Sequence, residues 1–304
     1  MPGVHSGQPG IIMIKEYLDY WGLDSVPFSL SPEPDMLFLS KQHHECLLRL
    51  KYAFYSDKGG ALLVSDNAGD GKTSVIYRLI KDLHHELSQK IKVALLSHPN
   101  LTPNQLIQEI CRQLGVTKPS RSRYENLNQL RERLIFFRQE EVKCLVIVDE
   151  GQLLCGYPET LQELRILLNF CLEGKFLLTF ILAGQKKLEE TVRSIPEFWQ
   201  RLPVRFFLGS LDRYDTDGLI RHRLRQAGYK GEEDIFKQEA VDLIYRHTGG
   251  CPRPICSLCD LSLLIGYSMR TKALDATIVQ QAQNDMQRSE RGIHYYKFLQ
   301  HGKV

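Results

Sequence analysis

The sequence predicts an α/β fold in which a parallel sheet flanked by helices is organised around a phosphate-binding loop. Three observations carry this. Ala61, Leu62, Leu63 and Val64 form a short apolar run that ends in a polar, glycine-containing turn, and Val75, Ile76, Leu79, Ile80 and Leu83 follow at helical spacing. Strand and helix patterns then alternate, as parallel architecture requires. Further along, Leu145-Val146-Ile147-Val148-Asp149-Glu150 is a fully apolar strand that ends in two adjacent carboxylates.

The turn is Ser65-Asp66-Asn67-Ala68-Gly69-Asp70-Gly71-Lys72-Thr73-Ser74. Gly69 and Gly71 let the backbone curl with its N–H groups inward, so the segment from Asn67 through Ala68, Asp70 and Gly71 to Ser74 is the expected cradle for ATP. Lys72 supplies a point charge for the β- and γ-phosphates, and the Thr73 hydroxyl is a ligand for Mg2+ at a positive helix N-terminus. The match to the GxxxxGK[ST] pattern is incomplete, because its first glycine falls on Asp66. That residue adds a Cβ and a negative charge near a polyphosphate. After the apolar strand, Asp149 takes the Mg2+ shell and Glu150 orients or deprotonates the attacking water. Gln185, just past the buried run Leu177 to Leu182, is placed to face the γ-phosphate side.

The rest of the chain is read in order. Residues 1–13 are rich in Gly and Pro without periodicity and read as a disordered leader. From Tyr17 to Leu39, aromatic anchors (Tyr20, Trp21, Phe28, Phe38) stand in a proline-punctuated coil, expected to pack beside a helix from Gln42 to Tyr55 and to close one side of the nucleotide site. Val93 to Leu96 makes a strand, Thr102-Pro103 starts the helix carrying Leu106, Ile107, Ile110 and Leu114, and another helix runs from Glu125 to Glu141. A helix with Leu161, Leu164, Leu167, Leu168 and Phe170 follows the carboxylates. Between two of these helices Lys118, Arg121 and Arg123 form a basic loop, read either as solvated surface or as a DNA contact.

Composition bounds the classes of function. With 304 residues, 43% hydrophobic and 25% charged, the chain buries a sizeable core, and a net charge of +3 demands neither nucleic acid nor membrane. Its longest apolar run, Phe176 to Gly184, is far short of the roughly 20 residues of a membrane span, and the N-terminus lacks a signal-peptide pattern. A cytoplasmic location is therefore expected. The eight cysteines lie mostly in apolar segments and read as reduced, buried thiols. Cys251, Cys256 and Cys259, three thiols in nine residues, are compatible with part of a zinc site, for which a fourth ligand is not evident.

A series of motifs along the chain gives a resemblance to a family. Tyr17-Leu18-Asp19-Tyr20-Trp21-Gly22-Leu23, Pro27-Phe28-Ser29-Leu30, Asp149-Glu150-Gly151-Gln152-Leu153-Leu154, Leu182-Ala183-Gly184-Gln185, Gln200-Arg201-Leu202, His222-Arg223-Leu224-Arg225-Gln226-Ala227-Gly228 and Gly249-Gly250-Cys251-Pro252-Arg253 stand in order. Together they resemble the ExeA/GspA-type AAA+ ATPases of general secretion, themselves similar to the transposition regulators of the TnsC and MuB type. The resemblance covers residues 14–285 and implies a P-loop NTPase core followed by a small all-helical lid. The implied division is a nucleotide-binding domain over 14–211, a lid over 212–287 and a tail over 288–304. It implies that Arg201 is a trans-acting arginine finger and that Arg253 is the lid arginine sensing the γ-phosphate.

Three functions follow as expectations: an ATP-hydrolysing assembly motor that forms a ring or filament with itself and remodels a protein partner of a secretion or transposition assembly, an ATP-dependent and sequence-independent DNA-binding regulator, and a nucleotide-sensing scaffold with weak turnover. Asp66 favours the last; with Asp70, where the family usually has a small hydroxyl or apolar residue, it also weighs against tight ATP binding.

Overall fold

The computed structural model describes residues 9–301, with side chains from 13 to 288. These residues form two compact units, one from Leu39 to Gly209 and the other joining the segment up to Phe38 to the chain from Ser210 onward. In chain order, helix α1 spans Pro9–Trp21, α2 Lys41–Tyr55, strand β1 Gly60–Ser65, α3 Lys72–Leu87, β2 Ile91–Leu96, α4 Pro103–Gln113 and α5 Arg123–Gln139. Then come β3 Lys143–Val148, a 3-10 turn Gly151–Gly156, α6 Pro158–Leu167, the two short strands β4 Cys171–Leu172 and β5 Lys175–Phe176, β6 Thr179–Gln185, α7 Lys186–Arg193, α8 Pro196–Trp199 and β7 Val204–Phe207. Four helices close the chain: α9 Arg213–Gln226, α10 Gln238–Thr248, α11 Pro252–Ser268 and α12 Ala276–His301.

The first unit is a five-stranded parallel sheet in the order β2-β3-β6-β1-β7 with helices packed on it. Its inner strands are apolar on both faces, as burial between helix layers requires: β1 and β6 carry Leu62, Leu63, Phe180 and Ile181, all buried. The edge strand β2 instead alternates, with Lys92 exposed. Helix α4 starts where Thr102-Pro103 predicts, closed by a capping box in which Thr102 and Gln105 exchange side-chain and backbone hydrogen bonds. One element was not legible. Between α6 and β6 the chain makes a small antiparallel hairpin, turned by Glu173 (φ +51°) and Gly174 (φ +76°). It ends α6 before Phe170 and moves the start of the next strand from Leu177 to Thr179.

The second unit is helical, with Leu219, Phe236, Val241, Ile255, Leu263 and Val279 in its core. The N-terminal aromatic segment joins this core, a correction to the expectation that it packs beside the helix from Gln42. Trp21 and Phe28 are buried within it, Phe28 edge-on to Phe236 at 6.1 Å between centroids. Tyr17 to Trp21 are also helix and not coil. The reason is local: Tyr17, Leu18 and Trp21 share one face, and Gly22 (φ +69°) closes α1 in a Schellman turn, with Leu23 N donating to Leu18 O at 3.0 Å. Four helices of this size bury little apolar area alone, and the aromatic stripe completes their core. Of the stretch read as a leader, residues 1–8 lie outside the described residues and Pro9 to Met13 begin α1. No helix among the described residues is long and apolar enough to cross a membrane.

Candidate nucleotide site

The site is built at the C-terminal edge of the sheet in the unit from Leu39 to Gly209. β1 delivers Ser65 there, β3 delivers Asp149 and Glu150, and β6, lying between them, delivers Gln185 in register with Ser65. Side-chain chemistry collects at this edge because every parallel strand ends on it and helices begin beyond it.

The loop after Ser65 is held by its own side chains. Lys72, only 5% exposed, donates to Ser65 Oγ at 2.6 Å and to Asn67 O at 3.2 Å. Ser65 Oγ in turn donates to Asn67 O at 2.8 Å. Asp70, 1% exposed, turns inward and accepts from Asn67 N at 2.9 Å and from Asn67 Nδ2 at 3.4 Å. Its carboxylate therefore serves as a clasp of the loop. Gly71 has φ +100°, so the step into α3 needs a glycine. Asp66 is exposed and is not among the residues with positive φ, so the backbone there asks for no glycine and its charge stands in solvent.

Beside the loop, Thr73 Oγ1 donates to Asp149 Oδ2 at 2.7 Å, and Glu150 N donates to Asp149 Oδ1 at 2.9 Å. Asp149 is 5% exposed, and burial raises its pKa above the usual carboxylate value, opposed by the Thr73 hydrogen bond. A buried carboxylate with a hydroxyl oxygen against it, next to the start of α3, is a hard oxygen donor set that fits Mg2+ completed by phosphate and water oxygens. Among the described residues no cluster of three or more His, Cys, Asp or Glu side chains is placed to hold a metal, and Cys251, Cys256 and Cys259 are buried thiols.

The structure thus brings Asn67, Ala68, Gly69, Asp70, Gly71, Lys72, Thr73, Ser74, Asp149, Glu150 and Gln185 to one edge. Arg201 it places elsewhere. β7 runs parallel to β1 with Val204 opposite Ala61, and Arg201 O lies 3.0 Å from where a Cβ on Gly60 would be, so Arg201 flanks the strand end opposite the phosphate loop. Its exposed guanidinium stands over Phe176, 5.9 Å from the ring centroid. Arg253 belongs to the helical unit, exposed in the first turn of α11. In the basic loop Arg123 forks onto Glu163, Nε to Oε1 at 2.8 Å and Nη2 to Oε2 at 3.0 Å, while Lys118 and Arg121 are exposed. The loop itself is tied down by the buried Asn126, whose side chain bonds Ser120 N at 2.6 Å and Ser120 O at 2.8 Å.

Two residues near the loop had no role assigned from the sequence, although Gln152 stands in the motif that follows the carboxylates. Gln152 bridges Glu150 to the end of β6. His43, at the start of α2 and 2% exposed, shares a hydrogen bond with Ser40 Oγ through Nδ1 at 2.7 Å, and its Nε2 lies 3.7 Å from where a Cβ on Gly71 would be. Both roles depend on chain segments remote in sequence, which periodicity cannot pair.

The AAA domain family model matches residues 56–192. General secretion pathway protein A of Aeromonas hydrophila is 32% identical over 255 residues, covering 83% of this chain and 45% of that protein, so the chain spans about half the length of this curated relative. Among solved structures, the Aeropyrum pernix ORC2 protein in its ADPNP and ADP complexes superposes with a TM-score of 0.65 at 17% identity, over 85% of this chain and 71% of that one. Drosophila ORC bound to DNA gives 0.62 at 21% identity, over 94% and 68%. At these identities the structural likeness is one of fold.

His43 makes the site's support pH-sensitive. Burial, with a smaller effect of His44, pushes its imidazole down to about 4 from the ordinary 6.5. In that window the unfolded chain takes a proton that the folded chain refuses, so this contribution to stability is complete above about pH 6.5 and is lost as pH falls toward 4. Urea unfolding of the parent and of His43→Gln across this range should show the parent losing up to ~3 kcal/mol more than the variant. Parallel stability profiles would show that His43 stays protonatable in the folded chain.

Proposed function

We propose that this chain, an AAA+ P-loop protein similar to general secretion pathway protein A, binds Mg-ATP and hydrolyses it, and that the cycle drives assembly with copies of itself and action on a protein partner. The observation that carries the reading is the Thr73–Asp149 hydrogen bond of 2.7 Å beside the buried ammonium of Lys72. It joins the end of one strand to the helix after another, which is what a metal-phosphate site needs and an ordinary loop does not.

Each residue has a task. Lys72 and the N–H groups of the turn hold the β- and γ-phosphates. Thr73 and Asp149 are the donors for Mg2+, which when bound neutralises charge across those phosphates. Glu150 accepts the proton of a water as its oxygen bonds to the γ-phosphorus and the bond to the β-phosphate oxygen breaks, leaving ADP and phosphate. Gln185, level with Ser65 at the strand ends, is the residue assigned to the γ-phosphate side. Arg201 lies a strand length from the phosphate loop of its own chain, which supports action on a neighbouring copy. The exposed position of Asp66 and the clasp made by Asp70 support nucleotide binding, which the motor and the nucleotide-sensing scaffold with weak turnover both require. For DNA, the ion pair with Glu163 offsets the charge of Arg123, one of the three exposed cations of the loop, so a protein partner is the favoured reading.

Two experiments test this. In a steady-state ATPase assay Glu150→Gln should keep Mg-ATP bound and turn it over slower by roughly two orders of magnitude or more. Turnover equal to that of the parent would leave Glu150 without a role in the chemistry. The second uses mixing. Arg201→Ala and Lys72→Ala should each be inactive, and a mixture should regain activity, since one supplies intact loops and the other supplies arginines. Silence in mixed oligomers verified by mass would show that Arg201 does not act across subunits.

A further inference from the structure

Between β3 and the end of β6 the 3-10 turn is pressed against the sheet by glycines on both sides. A Cβ on Gly151 would fall 2.8 Å from Leu188 Cδ2 and 3.1 Å from Ala183 O. A Cβ on Gly184 would fall 2.9 Å from Gln152 Oε1 and 3.1 Å from Gln152 N. These two absences of side chain let the amide of Gln152 lie in the seam. There Gln152 Nε2 donates to the Glu150 carboxylate at Oε2, and Gln152 Oε1 accepts from the backbone N–H of Gln185 at 3.1 Å.

The polarity of this chain is fixed at both ends, because a carboxylate only accepts and a backbone N–H only donates. A side chain in the middle must offer one acceptor and one donor at this reach. Glutamate keeps the acceptor and sets a second carboxylate against the first; leucine keeps much of the bulk and loses both. Glu150 also has a left-handed backbone (φ +52°), a conformation uncommon for a side chain of this size, with its own N–H committed to Asp149. Its carboxylate has one remaining freedom, rotation about the side-chain bonds, and Gln152 restrains it.

We infer that Gln152 is a positioning residue for ATP hydrolysis: anchored to the Gln185 backbone, its amide holds the Glu150 carboxylate in the orientation that receives a proton from water. The inference rests on the reading of Glu150 as general base. It gives the Gly151 and Gly184 positions a purpose, since each clears space for the amide and the turn that carries it. It also joins Glu150 to the strand end nearest the γ-phosphate side, so a shift of Gln185 is passed to the base through one side chain.

The test is a set of three variants, Gln152→Glu, Gln152→Leu and the exchange Glu150→Gln/Gln152→Glu, each followed by ATPase kinetics, affinity for a non-hydrolysable ATP analogue, and thermal midpoint. Gln152→Glu and Gln152→Leu should each lower kcat by about tenfold or more, while analogue affinity stays within about threefold of the parent. In the Glu150→Gln background, Gln152→Glu should change the residual kcat by less than about twofold, since the group it positions is gone. The thermal midpoint, lowered in Gln152→Glu where two carboxylates face each other, should recover in the exchange variant. An unchanged kcat in both single variants, a loss confined to KM, or the same fractional loss in the Glu150→Gln background would each overturn the inference. A parent chain that binds the analogue and never turns over ATP would remove the general-base reading and this inference with it. An active parent with unaffected Gln152 variants removes the inference alone.

Discussion

Two buried charges of opposite sign, the Lys72 ammonium and the Asp149 carboxylate, set the condition that the rest of the sheet unit satisfies. Each is 5% exposed, and taking such groups out of water is costly unless their hydrogen-bonding capacity is met. Lys72 finds Ser65 Oγ and Asn67 O; Asp149 finds Thr73 Oγ1 and the N–H of Glu150. Those partners come from the ends of β1 and β3 and from the start of α3, so the pairing holds only if the strands end level and the helix begins at Lys72. Close packing of helices on the strands beneath fixes that level, since a one-residue slip against a neighbour would set every side chain into the wrong helix layer.

The same condition explains why Asp70 is tolerated in a loop meant for phosphate. Its carboxylate is spent on Asn67, the residue whose carbonyl also receives Lys72, so the clasp and the ammonium share one anchor. Asp66, by contrast, contributes to nothing buried. The first glycine of the usual pattern serves a left-handed backbone or a close approach, and here the backbone does not use the first. Arg201 marks the other limit of the unit. It lies at the far end of β1, away from the phosphate loop of its own chain.

How much of this was legible depended on whether the information was local. The phosphate loop, the helix after it and the carboxylates ending β3 are each encoded in a contiguous stretch, where apolar runs and glycines read directly as strand, turn and helix. The hairpin turned by Glu173 and Gly174 is also local, but two-residue strands leave no period to detect. Aromatic side chains between Tyr17 and Phe38 announced burial correctly and the place of burial wrongly, because an aromatic stripe fits any apolar surface and composition does not name the partner. The roles of His43 and Gln152 were not legible for a different reason: a histidine after a lysine and glutamine, or a glutamine after a glycine, acquires its role only when Gly71 or Gln185 is brought against it. Arg123 looked like one of three free cations until the fold set Glu163 beside it.

The central claim is that this loop binds Mg-ATP as it stands, with Asp66 where the motif has glycine. Titrating a fluorescent ATP analogue with Mg2+ into the parent chain and into Asp66→Gly tests it most directly. Expected is saturable binding by the parent, with the variant within about threefold of it, since an exposed charge in solvent contributes little. No binding by the parent alongside tight binding by Asp66→Gly would contradict the claim and show that the aspartate disables the loop.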